Sequence, residues 1–314
     1  MSEAKQDERD SQYEDLLNSN FKQQKLAAWR PVPTIASTTI TFSIFGIIFI
    51  IIGVIVLIYS NKIVESSIRY DLLCAIDREC EIDLEIKQKM EKPVMVYYQL
   101  VNFYQNHRRY VKSKSNNQLS GKDLKVDEIK SDCDPVFLNE HIYKTVAIDE
   151  DKTPLNPKDP ANPCGLIAKS LFNDTYTLNS NQKPEGFFIN ETGIAWQSDI
   201  DMKYKMPKEM EKKMWLNTTN EHFMVWMRPA GLPNFRKLWG RINEDLEPGT
   251  YKIKVNNFYP VSEFNGEKHF VLSTVNAFGG KNSFIGISYI SVGGICLVMA
   301  LLFFFGYKSH NKTE

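Results

Sequence analysis

The sequence carries no net charge, with 38 Lys and Arg against 38 Asp and Glu over 314 residues. Without a basic surplus there is no electrostatic footprint for nucleic acid. Cysteine and histidine are scarce, five of each. His107, His141, His222 and His269 are scattered, and neither HExxH nor Cys/His ligand spacing occurs, so no zinc site is spelled out. No G-x-S-x-G elbow is present, which leaves nucleophilic hydrolysis without support. Charge is missing altogether from two long runs, and that absence organises the rest of the chain.

The first run, Thr34 to Ser60, exceeds the roughly 20 apolar residues needed to cross a bilayer core as a helix. It is too long for the apolar part of a cleaved signal peptide, and no small-residue cleavage site follows it. It reads as a retained anchor. The second run is Phe284 to Tyr307. The predicted organisation is a cytosolic tail 1–33, a transmembrane helix 34–60, a β-rich lumenal or extracellular domain 61–282, a second helix 283–307 and a cytosolic tail 308–314. Neither run holds Asp, Glu, Lys, Arg or His, so neither offers an evident ion path or proton relay. Gly46 and Gly53 in one, and Gly286, Gly293 and Gly294 in the other, favour close helix packing, although a strict GxxxG is absent. Before the first run, Phe21 to Pro33 reads as an interfacial segment anchored by Trp29, or equally as a membrane-flanking linker.

Flanking charges barely decide which side the loop faces. Three glycosylation sequons, at Asn173, Asn190 and Asn217, place it outside the cytosol. Cys74, Cys80, Cys133 and Cys164 lie in the same loop and fit two bridges in an oxidising compartment. Of the three pairings, the local one is favoured, Cys74 with Cys80 and Cys133 with Cys164. Cys296 is an apolar filler in the second run.

Within the loop, Asn61 to Met90 is charged and reads as partly helical. Val94 to Val101 is a β-rich run after Pro93, and Tyr251 to Val255 alternates apolar with Lys. His222 to Arg228 reads as a strand. Asn265-Gly266 reads as a hairpin turn joining Phe258–Phe264 to Lys268–Thr274. Lys112 to Pro163 is polar connecting structure. The fold class expected is a membrane protein with two transmembrane helices and a mainly antiparallel, sandwich-like β ectodomain with long loops.

Weak catalytic echoes have simpler readings. Asp151-Lys152-Thr153 has the start of an aspartyl-phosphate motif, but Pro154 stands where Gly is required. Gly279-Gly280-Lys281-Asn282-Ser283 lacks phosphate-loop spacing. Asp199-Ile200-Asp201 is a lone D-x-D, more simply two surface acids than a cation site.

Several long segments carry a resemblance. They are Phe21–Pro31, Asn102-Phe-Tyr-Gln-Asn-His-Arg-Arg-Tyr-Val111, Pro163–Ala168 with Phe172–Thr175, and Ile194–Asp199. Trp226–Ala230 with Leu232–Leu238, Tyr259–Val261, Val271–Thr274 and Gly279–Asn282 follow in order. Together the chain resembles the cell division control protein 50 family, the non-catalytic subunits of type IV P-type ATPases. The resemblance implies an accessory subunit of a phospholipid flippase with no cofactor, not itself an enzyme. It would form a heterodimer with a catalytic subunit and aid that subunit's folding, exit from the endoplasmic reticulum and lipid-translocating activity. It also implies residence in endoplasmic reticulum, Golgi, endosomal or plasma membranes. The implied ectodomain is a β-sandwich with disulfides among Cys74, Cys80, Cys133 and Cys164 and an N-glycan best matched at Asn173. The rival readings are a two-span ligand-gated channel subunit and a lumenal glycosyltransferase-like enzyme using Asp199 and Asp201.

Overall fold

The computed structural model describes residues 13–14, 16–26, 33–143, 155–181, 183–207, 209 and 211–310. In chain order its main elements are α1 (Ile35–Asn61), β1 (Glu65–Arg69), β2 (Arg78–Ile86), β3 (Val94–Val101), α2 (Arg108–Lys112) and α3 (Val126–Cys133). There follow β4 (Thr175–Ser180), β5 (Lys183–Phe187), β6 (Ile189–Asn190), α4 (Gln197–Met202) and α5 (Glu221–Met227). The last are β7 (Phe235–Ile242), β8 (Gly249–Asn257), β9 (Glu267–Ser273) and α6 (Ser283–His310). The chain divides into two compact units, the two long helices and the domain at 56–283.

Helices α1 and α6 are both long and apolar enough to cross a membrane. The hydroxyls of Thr39 and Ser43 donate to the carbonyls of Ile35 and Thr39, each at 2.8 Å, so neither needs water. The helices run antiparallel and approach closely at glycine notches, which receive Leu297, Ile290 and Ile50 as well as facing carbonyl oxygens. A Cβ built on Gly46 would lie 3.0 Å from the Gly293 carbonyl oxygen, and one on Gly53 would lie 2.9 Å from that of Gly286. Each glycine pair is spaced by one heptad, so the notches of one helix face those of the other.

The domain is a sandwich of two antiparallel sheets, one ordered β1-β9-β3-β7-β6 and the other β2-β8-β4-β5. Strict alternation builds the core. In β3 the buried positions are Val94, Val96, Tyr98 and Leu100; in β8 they are Tyr251, Ile253, Val255 and Asn257. Both strands contain the runs expected from sequence.

Three expectations are corrected. Asn61 to Met90 forms β1 and β2, with no helix after α1 ends at Asn61. Ile82, Leu84 and Ile86 point inward from β2, while Glu79 and Glu81 pair across the sheet with Lys254 and Lys252. The charge that resembled a helical face is a solvated strand face. His222 to Arg228 lies in helix α5. Asn220 caps its start by accepting the N–H of His222 at 2.8 Å. Phe223, Met224, Trp226 and Met227 form its buried face, at helical spacing. Asn265 takes the left-handed conformation expected of it, with φ 52°. The turn nevertheless makes no hairpin, because β8 and β9 belong to different sheets and 258–261 is not a strand.

One buried group explains that last point. The Asp174 carboxylate accepts the backbone N–H groups of Phe258 and Tyr259 at 2.7 and 2.6 Å, which holds them out of any ladder. Its other oxygen accepts from Tyr70 Oη at 2.7 Å and Lys268 Nζ at 2.6 Å. Lys268 Nζ also donates to the Tyr259 carbonyl and to Asn257 Oδ1. Three acceptors for three ammonium protons fit the charged amine. Burial lowers the Lys268 pKa, and Asp174 opposes that. Burial also pushes the Tyr70 and Tyr176 hydroxyls well above their ordinary range. The cluster links β9 in one sheet to β4 and β8 in the other.

A second buried amine, Lys237 on β7, donates to the carbonyls of Val225, Trp226 and Arg228 at 2.9, 3.2 and 2.6 Å. It closes the C-terminal end of α5. Burial pushes its pKa down to about 7.

Asp174→Asn leaves the Lys268 ammonium buried without a counter-charge, and a loss of roughly 3–5 kcal/mol is expected. Thermal unfolding of the purified protein measures it, and adding Lys268→Met should recover part of the loss. Lys237 protonates near pH 7 when folded and near 10.5 when unfolded. Between those values the unfolded chain holds the extra proton, so stability rises with pH; below pH 7 both states are protonated and the slope vanishes. The midpoint of unfolding should therefore rise from pH 7 to pH 9 relative to Lys237→Met.

Candidate functional site

Several of the segments that carry the family resemblance, Asn102–Val111, Pro163–Ala168, Phe172–Thr175, Trp226–Ala230, Leu232–Leu238 and Tyr259–Val261, are distant in sequence and converge at one end of the sandwich. The register fixes that end: Arg69 faces His269, Arg78 faces Asn257, Val101 faces Glu267 and Leu100 faces Phe235. The turn after β3 is tied to the turn before β7. Phe103 N–H donates to the Pro233 carbonyl at 3.0 Å, and Asn102 N–H to Asn234 Oδ1 at 3.1 Å. Asn106 Nδ2 reaches the Gly231 carbonyl at 2.9 Å, and Ala230 N–H reaches Gln105 Oε1 at 2.9 Å.

Beneath these turns lies an aromatic cluster. The Phe103 ring sits 5.7 Å from Trp226, 5.2 Å from Phe264 and 5.8 Å from Tyr110. Tyr98 stacks on Phe172 at 3.9 Å. The Trp226 indole donates to the Ile167 carbonyl at 2.8 Å, which fastens α5 to the Pro163–Ala168 segment. Edge and stacked contacts of this kind add to the area buried by large rings.

Two disulfides brace the same domain. Cys74 is bonded to Cys80, and the Cys74 carbonyl accepts Asn257 Nδ2 at 2.8 Å, which attaches that loop to the Asp174 cluster. Cys133, at the end of α3, is bonded to Cys164. Cys164 N–H donates to the buried Gln118 at 3.1 Å, and the neighbouring Gly165 N–H donates to Val136 at 2.8 Å. Gly165 has φ 102°, and a Cβ there would fall 2.1 Å from the Ser113 carbonyl oxygen, so only glycine fits. The Lys112–Pro163 stretch therefore does more than connect: Ile129, Cys133 and Ile142 are fully buried in it.

The sequons sit on the surface of this unit. Asn173 and Asn217 are exposed and Asn190 is half-buried. At Asn190 and Asn217 the side-chain oxygen accepts both the N–H and the hydroxyl of the Thr two residues on, at 2.9 and 2.7 Å and at 2.8 and 2.7 Å. At Asn173 the Thr175 hydroxyl instead accepts from Asn256 Nδ2 at 2.8 Å.

The weaker motifs do not come together. Asp199 is buried, with Arg228 and Lys203 on its oxygens at 2.5 and 2.7 Å. Burial opposes its ionisation, but the two cations outweigh it and hold the carboxyl below its usual range. Asp201, two residues on along α4, is exposed and bonds to Gln197; side chains at that spacing do not share a helix face. His222 meets Glu191, His269 meets Glu267, and His141 accepts the N–H groups of Phe137 and Leu138. Among the described residues no three of His, Cys, Asp and Glu are grouped to hold a metal ion. Asp151-Lys152-Thr153 and, in the segment Phe21 to Pro33, residues 27–32 with Trp29 lie outside the described residues.

Sequence reasoning missed Asp174, Lys268 and Lys237. A signal existed: strand parity puts Lys268 on the same face as Phe270 and Leu272, and Lys237 on that of Phe235 and Trp239.

Comparison with known proteins bears on the whole chain. Residues 56–313 match the model of the LEM3 (ligand-effect modulator 3) family / CDC50 family. ALA-interacting subunit 3 of Arabidopsis thaliana is 42% identical, covering 91% of this chain and 84% of its own. Cell cycle control protein 50A of Mus musculus is 36% identical, covering 95% and 90%. Cell cycle control protein 50B of Homo sapiens is 31% identical, covering 95% of each. With two apolar helices enclosing a two-sheet domain, and similarity running across nearly its full length, this chain belongs to the LEM3/CDC50 family.

Proposed function

We propose that this chain is the non-catalytic, accessory subunit of a P-type ATPase phospholipid flippase, heterodimeric with the catalytic subunit. In that role it supports the partner's folding, its exit from the endoplasmic reticulum and its lipid-translocating activity. The observation that carries the reading is the similarity to relatives named as interacting subunits over 91% of the chain. Three further features support it. Within the apolar runs 34–60 and 284–307 neither long helix holds an Asp, Glu, Lys, Arg or His for a transport path of its own. The domain between them exposes rigid turns, which bind with little ordering cost. The weak catalytic motifs are dispersed or engaged in local ion pairs.

In this reading 1–33 and 308–314 are cytosolic and 61–282 is lumenal or extracellular, in the endomembrane system or plasma membrane. Asn173, Asn190 and Asn217 carry N-glycans, and the two disulfides suit an oxidising compartment. The helices, the N-terminal segment and the ectodomain grip the partner from three sides. Such contact alters the partner's cycle only by binding its conformations unequally.

Affinity purification from native membranes should recover a P-type ATPase catalytic subunit, identified by mass spectrometry. Recovery of the folded protein alone at its final membrane would overturn the reading. The bridges give a second expectation. Cys133–Cys164 spans 31 residues and Cys74–Cys80 spans 6, so closing the former is worth on the order of 3–4 kcal/mol and closing the latter less. Cys133→Ser should therefore impair export and glycan maturation more than Cys74→Ser, read as endoglycosidase-resistant product.

A further inference from the structure

The turns that seal the aromatic cluster leave two large apolar side chains outside. Tyr104 is 57% exposed and Leu232 is 70% exposed. They lie on the turns that follow β3 and precede β7, two strands paired in one sheet. The four hydrogen bonds described above tie their turns to one another, so the two side chains are displayed on a fixed support.

The two chain segments that carry them hold charge of one sign. From Asn102 to Lys114 the chain contains Arg108, Arg109, Lys112 and Lys114 and no acid; from Arg228 to Arg241 it contains four basic residues and no acid. Arg228 is committed to Asp199, Arg236 to Glu65 and Lys237 to backbone carbonyls. Arg108 and Arg109 are exposed at the start of α2, and among the described residues neither meets a carboxylate. Nearby acids are otherwise engaged: Arg69 pairs with both Asp71 and Glu267. Glu263, on the turn before β9, is an exposed acid on a neighbouring turn.

A protein partner fits these observations better than a lipid surface. Both connections to the long helices, 62–64 and 274–282, leave from the other end of the sheet, where Glu65 faces Ser273. Eight residues of β3 separate the two ends, roughly 25 Å at strand rise. Planar guanidiniums flanking an aromatic and an aliphatic anchor are the composition of a protein hot spot, and they match carboxylates in bidentate geometry.

We propose that Tyr104, Leu232, Arg108 and Arg109 form a docking surface for an acidic extracytosolic segment of the catalytic subunit. The two apolar side chains enter its centre and its carboxylates pair with the two guanidiniums. The inference rests on the flippase-subunit reading and assigns it a contact.

The test uses the full chain in its complex. With benzoylphenylalanine in place of Tyr104, illumination of native membranes should give an adduct with the catalytic subunit. The same probe in place of Phe188, 77% exposed on a different turn, should not. Arg108→Glu with Arg109→Glu should lower partner recovery about tenfold or more, as expected for reversing two interfacial charges. Protease resistance equal to that of the parent would show that the variant is folded. An adduct to lipid alone overturns the inference. So does unchanged recovery with the double variant, or loss of flotation with phosphatidylserine vesicles while partner recovery stays intact. If the parent chain itself recovers no catalytic subunit, the functional reading fails instead, which separates the two.

Discussion

A carboxylate and an ammonium with no exposed side-chain surface, Asp174 and Lys268, hold the two sheets together at the end where the turns gather. A buried ion pair usually struggles to repay its own desolvation. Here each charge is fully subscribed, with four donors on the carboxylate and three acceptors on the ammonium. What the pair contributes is specificity of arrangement: it fixes where β8 stops, where the chain crosses between sheets and where the Cys74 loop is anchored. An apolar replacement would fill the volume and leave those choices open.

The position of this cluster explains why one end of the domain is rigid without regular structure. Long turns normally carry the freedom of a fold. In this protein the turns around Asn102, Leu232 and Phe258 are bonded to each other or to Asp174, and rings beneath them fill the space that a third layer would occupy. Rigid turns let a surface bind with little reordering, which suits a protein whose work is contact rather than chemistry.

Some of this was legible in the sequence. The spans were, because nothing but a bilayer or a buried core demands so long a run without charge. Strand β3 was, because β-branched and aromatic residues crowd it after Pro93, and β8 was, because Tyr251 to Val255 alternates apolar with Lys. Helix α5 was not: its aromatic and β-branched residues favour a strand, and its two determinants, the Asn220 cap and the Lys237 amine, act at its ends and partly from another element. Strands β1 and β2 were hidden by charge that serves cross-strand pairing. The Asn265-Gly266 turn had its local chemistry read rightly and its topology wrongly, since which strand a turn leads to depends on distant residues. For the site, the motif segments were visible one by one, but the gathering of several of them at one end needed the sheet register.

The glycine seam between α1 and α6 has a consequence for how the pair can move. Contact there is close: Leu297 and Ile290 of α6 fill the notches at Gly46 and Gly53, Ile50 of α1 fills that at Gly293, and a carbonyl oxygen of the facing helix lies behind each. Sliding by one residue would drive a Cβ into a carbonyl oxygen. The two rods are therefore geared: if a neighbour displaces one along its axis, the other must travel with it.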